Sequence, residues 1–314
     1  MSIALQMIRG FFMGVADLVP GVSGGTMALV FGIYRDLITN VRTGAGGLGR
    51  LARGDVAGFV TALKHVNWPF LVPLLAGVGI AVLALSSVIQ HFLETEAIAM
   101  SGLFFGLVIS SMIVAWRLLT RQDLIRVAII GAVGVIMFFV LGLRSGPVDD
   151  PSLILFVGAG AVAICAMILP GVSGAFLLLM LGMYGPVLDA VNDRQIGVLA
   201  LFLVGAVLGL SLFSSALNWA LERHYDTVMA ALIGLMLGSL RVLWPWPDGV
   251  GIPETHNDAG DIINAGTSGT ALGAPSGDVV LPVILAIVAA AAVLIVSHLA
   301  ERRSAAAQTA AVPG

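Results

Sequence analysis

The chain has little of what a water-soluble protein needs at its surface. Its 314 residues include one cysteine, three tyrosines and only 11% charged residues. A lone thiol, Cys165, excludes an internal disulfide, and its apolar neighbours make it a packing residue. So little charge cannot cover a globule of this size. With 59% hydrophobic residues and a mean hydropathy of +1.04, the chain reads as an integral membrane protein. The net charge of -3 says nothing about partners, because charge in such a protein informs by its place along the chain. Enzyme signatures are missing too. His65, His91, His224, His256 and His298 lie at span ends or in loops without metal-ligand spacing, and no span carries paired carboxylates. Gly171-Val-Ser-Gly174 has the outline of a nucleophile elbow, yet no strand precedes it and no intramembrane His stands by as a base. These absences argue against catalysis, a cofactor, a metal or a nucleic-acid partner.

What the chain does have is one segment written twice. Leu18-Val-Pro-Gly-Val-Ser-Gly-Gly-Thr26 returns 150 residues later as Ile168-Leu-Pro-Gly-Val-Ser-Gly-Ala-Phe176, and the register holds to Tyr34 and Tyr184 with eight of seventeen positions identical. Helix breakers and a hydroxyl inside apolar sequence, duplicated in register, are expected of paired broken helices in a transporter. A weaker echo aligns Gly106, Leu107, Ser111 and Trp116 with Gly234, Leu235, Ser239 and Trp244 at an offset of 128.

Crossing the hydrocarbon core takes about 20 helical residues. Six runs qualify, at about 68–92, 97–119, 124–143, 195–221, 227–244 and 279–300. The repeat segments, 2–40 and 152–191, are instead split by Pro-Gly-Val-Ser-Gly into arms of about 17 residues, marginal for a crossing. If both segments return to their own side, one face receives eleven Lys and Arg and the other three; if both cross, the count is ten against four. The positive-inside rule favours returning hairpins with both termini cytoplasmic. The expected fold is an all-α polytopic membrane protein with an inverted repeat. Residues 1–145 form the first half and 146–301 the second, each a re-entrant broken hairpin plus three spans. The start of the chain lacks a basic region ahead of its apolar stretch, so it reads as retained structure rather than a signal peptide. The polar stretch 248–278 is expected as an extracytoplasmic loop, and the alanine-rich tail 302–314 as disordered.

Non-helical backbone at membrane depth is tolerated only where protein or a water-filled cavity satisfies it. Two facing breaks therefore imply a shared polar site. Beyond each proline, a helix starting near Gly24 or Gly174 presents unpaired N-H groups and the positive end of its dipole. Gly21, Gly24, Gly25, Gly171 and Gly174 permit close backbone approach, while Ser23, Thr26 and Ser173 add hydroxyls, which together suit a phosphate or carboxylate. The bland alternative is close helix packing by small residues. Arg9 and Asp17 are the charges within the first hairpin, read as an anion partner and as an orienter or a site for a proton or coupling cation. Their bland alternative is an ion pair, or an Asp17 that merely bonds N-H groups at the break. Ala159 and Met167 replace them in the second copy, so the site is asymmetric. Tyr34 and Tyr184 read as interfacial anchors. The basic segment from Arg42 to Lys64 reads as a topology determinant, with attraction for anionic membrane lipids as the minority reading.

At Arg9-Gly10, Met13-Gly14, Asp17 through Thr26, Gly32-Ile-Tyr34 and the second copy through Tyr184, the chain resembles the bacterial PopT family of polyprenyl-phosphate transporters. The resemblance implies a plasma-membrane flippase that returns undecaprenyl phosphate from the outer to the cytoplasmic leaflet for reuse in envelope glycan synthesis. It further implies alternating access around a midplane phosphate site. From the residues alone, a secondary transporter or channel for a small soluble anion stays open beside it, as do a lipid-phosphate hydrolase and a scaffold subunit.

Overall fold

The computed structural model describes residues 3–18, 22–143, 148, 151–247, 255–256, 262–264 and 272–310. In chain order the helices are α1 (Ile3–Asp17), α2 (Gly24–Val30), α3 (Tyr34–Ala52), α4 (Val56–His65), α5 (Trp68–Thr95), α6 (Ala97–Arg117), α7 (Leu124–Val140), α8 (Leu153–Ile168), α9 (Gly174–Met180), α10 (Tyr184–Asn192), α11 (Ile196–Arg223), α12 (Tyr225–Ser239) and α13 (Val280–Ala310). Within the polar stretch, β1 (Thr255–His256) pairs antiparallel with β2 (Ile262–Asn264). Short polar side chains start several helices by accepting first-turn amides. Asn67 accepts from the Phe70 amide at 3.2 Å and Asp123 from the Arg126 amide at 3.0 Å.

Helices occupy all six runs marked by hydropathy. Among the described residues four are long and apolar enough to cross a membrane: α5, α6, α11 and 280–298 of α13. The other two, α7 and α12, have 17 and 15 residues. At 1.5 Å per residue they span about 25 Å and about 22 Å, short of a full crossing by themselves. At its far end α13 continues through Ala310, correcting the tail expected to be disordered from residue 302; alanine is the strongest helix former. Residues 311–314 and most of 248–271 lie outside the described residues.

The arm after each break is also not a single helix. Both are interrupted again, between α2 and α3 and between α9 and α10, where Gly32 and Gly182 adopt φ of +67° and +68°. Each closes the preceding helix with the same pair of hydrogen bonds. Gly32 and Ile33 donate to Leu29 and Ala28 at 2.9 and 3.0 Å; Gly182 and Met183 donate to Leu179 and Leu178 at 3.1 and 2.9 Å. The axes of α9 and α10 differ by 110°. On the first side the chain then runs on as α3, beyond the hairpin end expected at residue 40.

Backbone-to-backbone packing at glycines carries the duplication into three dimensions. A β-carbon on Gly10 would overlap the Leu74 carbonyl, and one on Gly160 would overlap that of Phe202. One on Gly77 would overlap the Met7 carbonyl, and one on Gly205 that of Val157. These pairs are equivalent at the offsets of 150 and 128 seen in the sequence. Close approach between rising residue numbers on both partners makes α1 parallel to α5 and α8 parallel to α11. The third helix of each half packs on the other half. Gly102 and Gly106 of α6 meet Pro282 and Ala286 of α13, while Gly234 and Gly238 of α12 meet Ile130 and Gly134 of α7. Small residues let such helices approach closely, and dispersion with weak backbone contacts holds them without a hydrophobic drive.

Two clusters fix which ends lie together. A polar cavity of about 280 Å³ gathers Gln6 of α1, Asp36 and Asn40 of α3, and Asn67 and Pro69 at the start of α5. A cavity of about 480 Å³ gathers Gly32, Tyr34 and Arg35 with Thr120 after α6, Leu221 of α11 and Tyr225 of α12. Because α3 takes part in both, the starts of α1, α3 and α5 lie near the end of α6 and the start of α12. At the other end Gly182 accepts from the Val148 amide at 3.1 Å, and Arg241, just past α12, lies beside Gly142, just past α7. Replacing Gly10 or Gly160 by Val is expected to destabilise the fold by about 1–3 kcal/mol through overpacking. Ala at Gly79 or Gly131, where an added β-carbon meets nothing within 4 Å, is expected to be neutral. Thermal unfolding in detergent micelles reads both outcomes.

Candidate functional site at the paired breaks

The end of a helix leaves its last carbonyls without intrahelical partners. At the end of α8 those carbonyls are taken up by side chains from the opposite repeat. The Ser23 hydroxyl donates to the Met167 carbonyl at 3.0 Å, and the Tyr34 hydroxyl donates to that of Ile168 at 3.2 Å. One turn further on, the Gly171 amide donates to Thr26 Oγ1 at 3.0 Å. The breaks are thus in direct contact, joined by three hydrogen bonds. Gly25 makes the approach possible, since a β-carbon there would stand 2.8 Å from the Ile168 carbonyl oxygen. Gly171, at φ +79°, would press a β-carbon to 2.7 Å from the Cα of Met236 in α12.

Ser23, Thr26 and Tyr34 are buried at 1%, 0% and 3% exposure. Their positions answer two sequence expectations. Tyr34 is not an interfacial anchor: its ring lies in the core and its hydroxyl clamps the other break, because the turn at Gly32 sets this first residue of α3 over the end of α8. The hydroxyls of Ser23 and Thr26 are already engaged within the protein. Ser23 Oγ additionally caps α2 by accepting from the Gly25 amide at 3.1 Å.

The two helix starts beyond the breaks are equivalent in place and different in chemistry. At α2, Asp17 Oδ1 accepts from the Gly24 amide at 2.6 Å. A charge-assisted bond of this kind seats an anion on the positive end of the helix. Asp17 remains exposed on its other side. At α9 the corresponding residue is Met167, whose Cγ lies 2.9 Å from the place of a β-carbon on Gly174. Ser173 caps this helix loosely, accepting from the Phe176 amide at 3.4 Å. Among the described residues the Gly174 and Ala175 amides donate to no protein acceptor, and Ala175 is exposed. One start therefore carries its own carboxylate and the other carries none.

Of the residues singled out by sequence, the structure brings Asp17, Ser23, Gly24, Gly25, Thr26 and Gly171 together, with Ser173 and Gly174 one turn away. Gly21 lies outside the described residues. Arg9 is elsewhere, eight residues before Asp17 on α1, or about 12 Å along the axis. Its guanidinium donates to Gln6 Oε1 at 3.2 Å and lies within Coulombic reach of Asp36, beside the polar cavity at the α3 end. Asp36, Asn40 and Asn67 of that cavity carried no sequence signal, since each looks like an ordinary loop or cap residue until the fold collects them. Among the described residues no three His, Cys, Asp or Glu side chains converge to hold a metal ion. Thr26→Val should strand the buried Gly171 amide and destabilise by about 1–3 kcal/mol, and Tyr34→Phe by about 0.5–1.5 kcal/mol. Equal melting temperatures for parent and both variants would mean that these bonds do not hold the breaks together.

Residues 13–259 match the VCA0040-like family, described as undecaprenyl phosphate translocase-like. A protein of Vibrio cholerae serotype O1 named polyprenyl-phosphate transporter is 39% identical over 242 residues, covering 77% of each chain. A Staphylococcus aureus protein of the same name is 28% identical over 260 residues, covering 77% of this chain and 86% of that one. No solved structure matches. The extent of the family match and the close Vibrio relative establish that this chain belongs to the undecaprenyl phosphate translocase-like family.

Proposed function

We propose that this protein carries polyprenyl phosphate across the membrane, as the names of its Vibrio and Staphylococcus relatives state for them. The observation that carries the reading is the unequal pair of helix starts at the joined breaks. Asp17 already holds an anion on the Gly24 amide, while the Gly174 and Ala175 amides, beside the Ser173 hydroxyl, have none. A lipid phosphate supplies what the second start lacks. It carries about -1.5 to -2 charges near neutral pH and offers three strong acceptor oxygens.

The two halves form an inverted repeat in this reading, and the hairpins are re-entrant from opposite faces. The equivalent glycine contacts at offsets 150 and 128 support the pairing, and the shared ends of the first hairpin support its return. Both termini are cytoplasmic in the plasma membrane, where Arg9 with its polar cavity receives the headgroup and residues 248–278 lie outside. Transport runs from the outer to the cytoplasmic leaflet, so that the carrier lipid is reused in envelope glycan synthesis. The prenyl chain stays in hydrocarbon throughout while the halves rock about the breaks. Each cycle parts the bonds that Ser23 and Tyr34 donate and the one that Thr26 accepts, and re-forms them. Asp17 couples the cycle to protons: taking up a proton discharges it, and the Gly24 amide is released for the passing phosphate.

Reconstitution into liposomes with a labelled polyprenyl phosphate tests this. Parent protein is expected to speed movement between leaflets well above protein-free vesicles. Arg9→Ala is expected to cut it at least tenfold, and Asp17→Asn to abolish its response to an imposed pH difference. Movement of inorganic phosphate in place of the lipid would favour a soluble-anion transporter, and release of phosphate from the lipid would favour a hydrolase.

A further inference from the structure

Arg241 stands just beyond α12, at the end of the molecule opposite the Arg9 cavity. It borders a groove of about 480 Å³ between α7, α12 and the loop before α13, a size typical of small-ligand sites. The walls are apolar, formed chiefly by Val135, Phe138, Phe139, Leu237 and Leu272. Among its described lining residues Arg241 is the one charged side chain.

That guanidinium is built in rather than draped over the surface. Its Cζ sits 4.6 Å from the centre of the Phe138 ring, a cation-π stack. Gly142 makes the space, since a β-carbon there would stand 2.7 Å from Cζ. Around the mouth of the groove, Trp244 packs edge-on against Trp246 and Phe105 at 5.4 and 5.9 Å between ring centres, and its indole donates to the Gly273 carbonyl at 3.0 Å. Trp246 is buried and Trp244 half-buried, so the cluster is a packed wall rather than a surface patch. Val135 and Phe139 are 58% and 66% exposed, so the groove is open along one side. A cation beside an apolar trough matches a lipid with a small anionic head and a bulky branched chain. The cation is also out of place by topology, lying on the face that the positive-inside rule leaves nearly bare.

We infer that this groove is the outer-leaflet loading site for polyprenyl phosphate, with Arg241 holding the phosphate and the α7–α12 trough holding the first isoprene units. This rests on the transport reading above and adds where the lipid is captured before its headgroup reaches the breaks. Arg241 supplies a planar, bidentate phosphate donor that Lys does not reproduce.

The test uses the full chain in nanodiscs with undecaprenyl phosphate as probe, and phosphatidylglycerol and inorganic phosphate as competitors. Arg241→Gln is expected to weaken lipid binding at least tenfold. In liposomes it should raise the lipid concentration for half-maximal transport similarly while leaving the maximal rate near the parent's. Arg241→Lys should fall between the two. Leu237→Trp, which fills the trough and spares the cation, should weaken binding too, covering the case in which Arg241→Gln fails to fold. Unchanged affinity in well-folded Arg241→Gln and Leu237→Trp proteins would overturn the loading site while leaving transport standing. Equal competition by phosphatidylglycerol would overturn it as a general anionic-lipid groove. Saturable binding at the groove by a parent protein that moves no lipid would instead defeat the transport reading.

Discussion

Backbone polar groups at membrane depth must be satisfied, and that constraint organises this protein. Each half interrupts a helix inside apolar sequence, freeing carbonyls and amides that lipid cannot hydrogen-bond. The α8 carbonyls are answered by Ser23 and Tyr34, and the Gly171 amide by Thr26. One break therefore completes the other. Neither hairpin is satisfied alone, so the joint between repeats is also the point at which any relative movement of the halves must do work.

Around that joint the scaffold is held by close backbone contact. Glycines of α1, α5, α8 and α11 form equivalent seams in the two halves, and the third helix of each half crosses to pack on the other. Equivalent seams therefore surround an unequal centre. Asp17 and Met167 occupy equivalent positions over their helix starts, one charged and one soft and apolar. In the proposed transport this asymmetry suits a charged headgroup, because two identical carboxylates at the joint would repel it and two empty starts would leave amides bare.

Much of this was legible in the sequence. The offsets of 150 and 128 are the register of the helix seams, and the hydropathy runs fall on the helices. Asp17, Ser23 and Thr26 stand out as polar groups in an apolar, duplicated setting, and all three sit at the joint. Other features were hidden for physical reasons. Gly32 and Gly182 appeared as shared identities, yet only backbone dihedrals reveal that they end a helix and send Tyr34 inward. The exchange of α7 and α13 between halves leaves no trace, since those helices share no motif. Arg9 looked like a partner of the break by its charge alone, but two helical turns carry it to the Gln6 and Asp36 cluster. Helix length is hidden at α7 and α12, where apolar turns extend the hydropathy beyond the last helical residue.

In the proposed cycle the joined breaks must part for cargo to pass. The most direct measurement ties them together. In a Cys165→Ala background, Ser23→Cys and Met167→Cys can be bridged by a short bifunctional thiol reagent that reducing agent cleaves. Bridged protein in liposomes is expected to stop moving labelled polyprenyl phosphate and to recover on reduction. Parental transport with the bridge intact would contradict it.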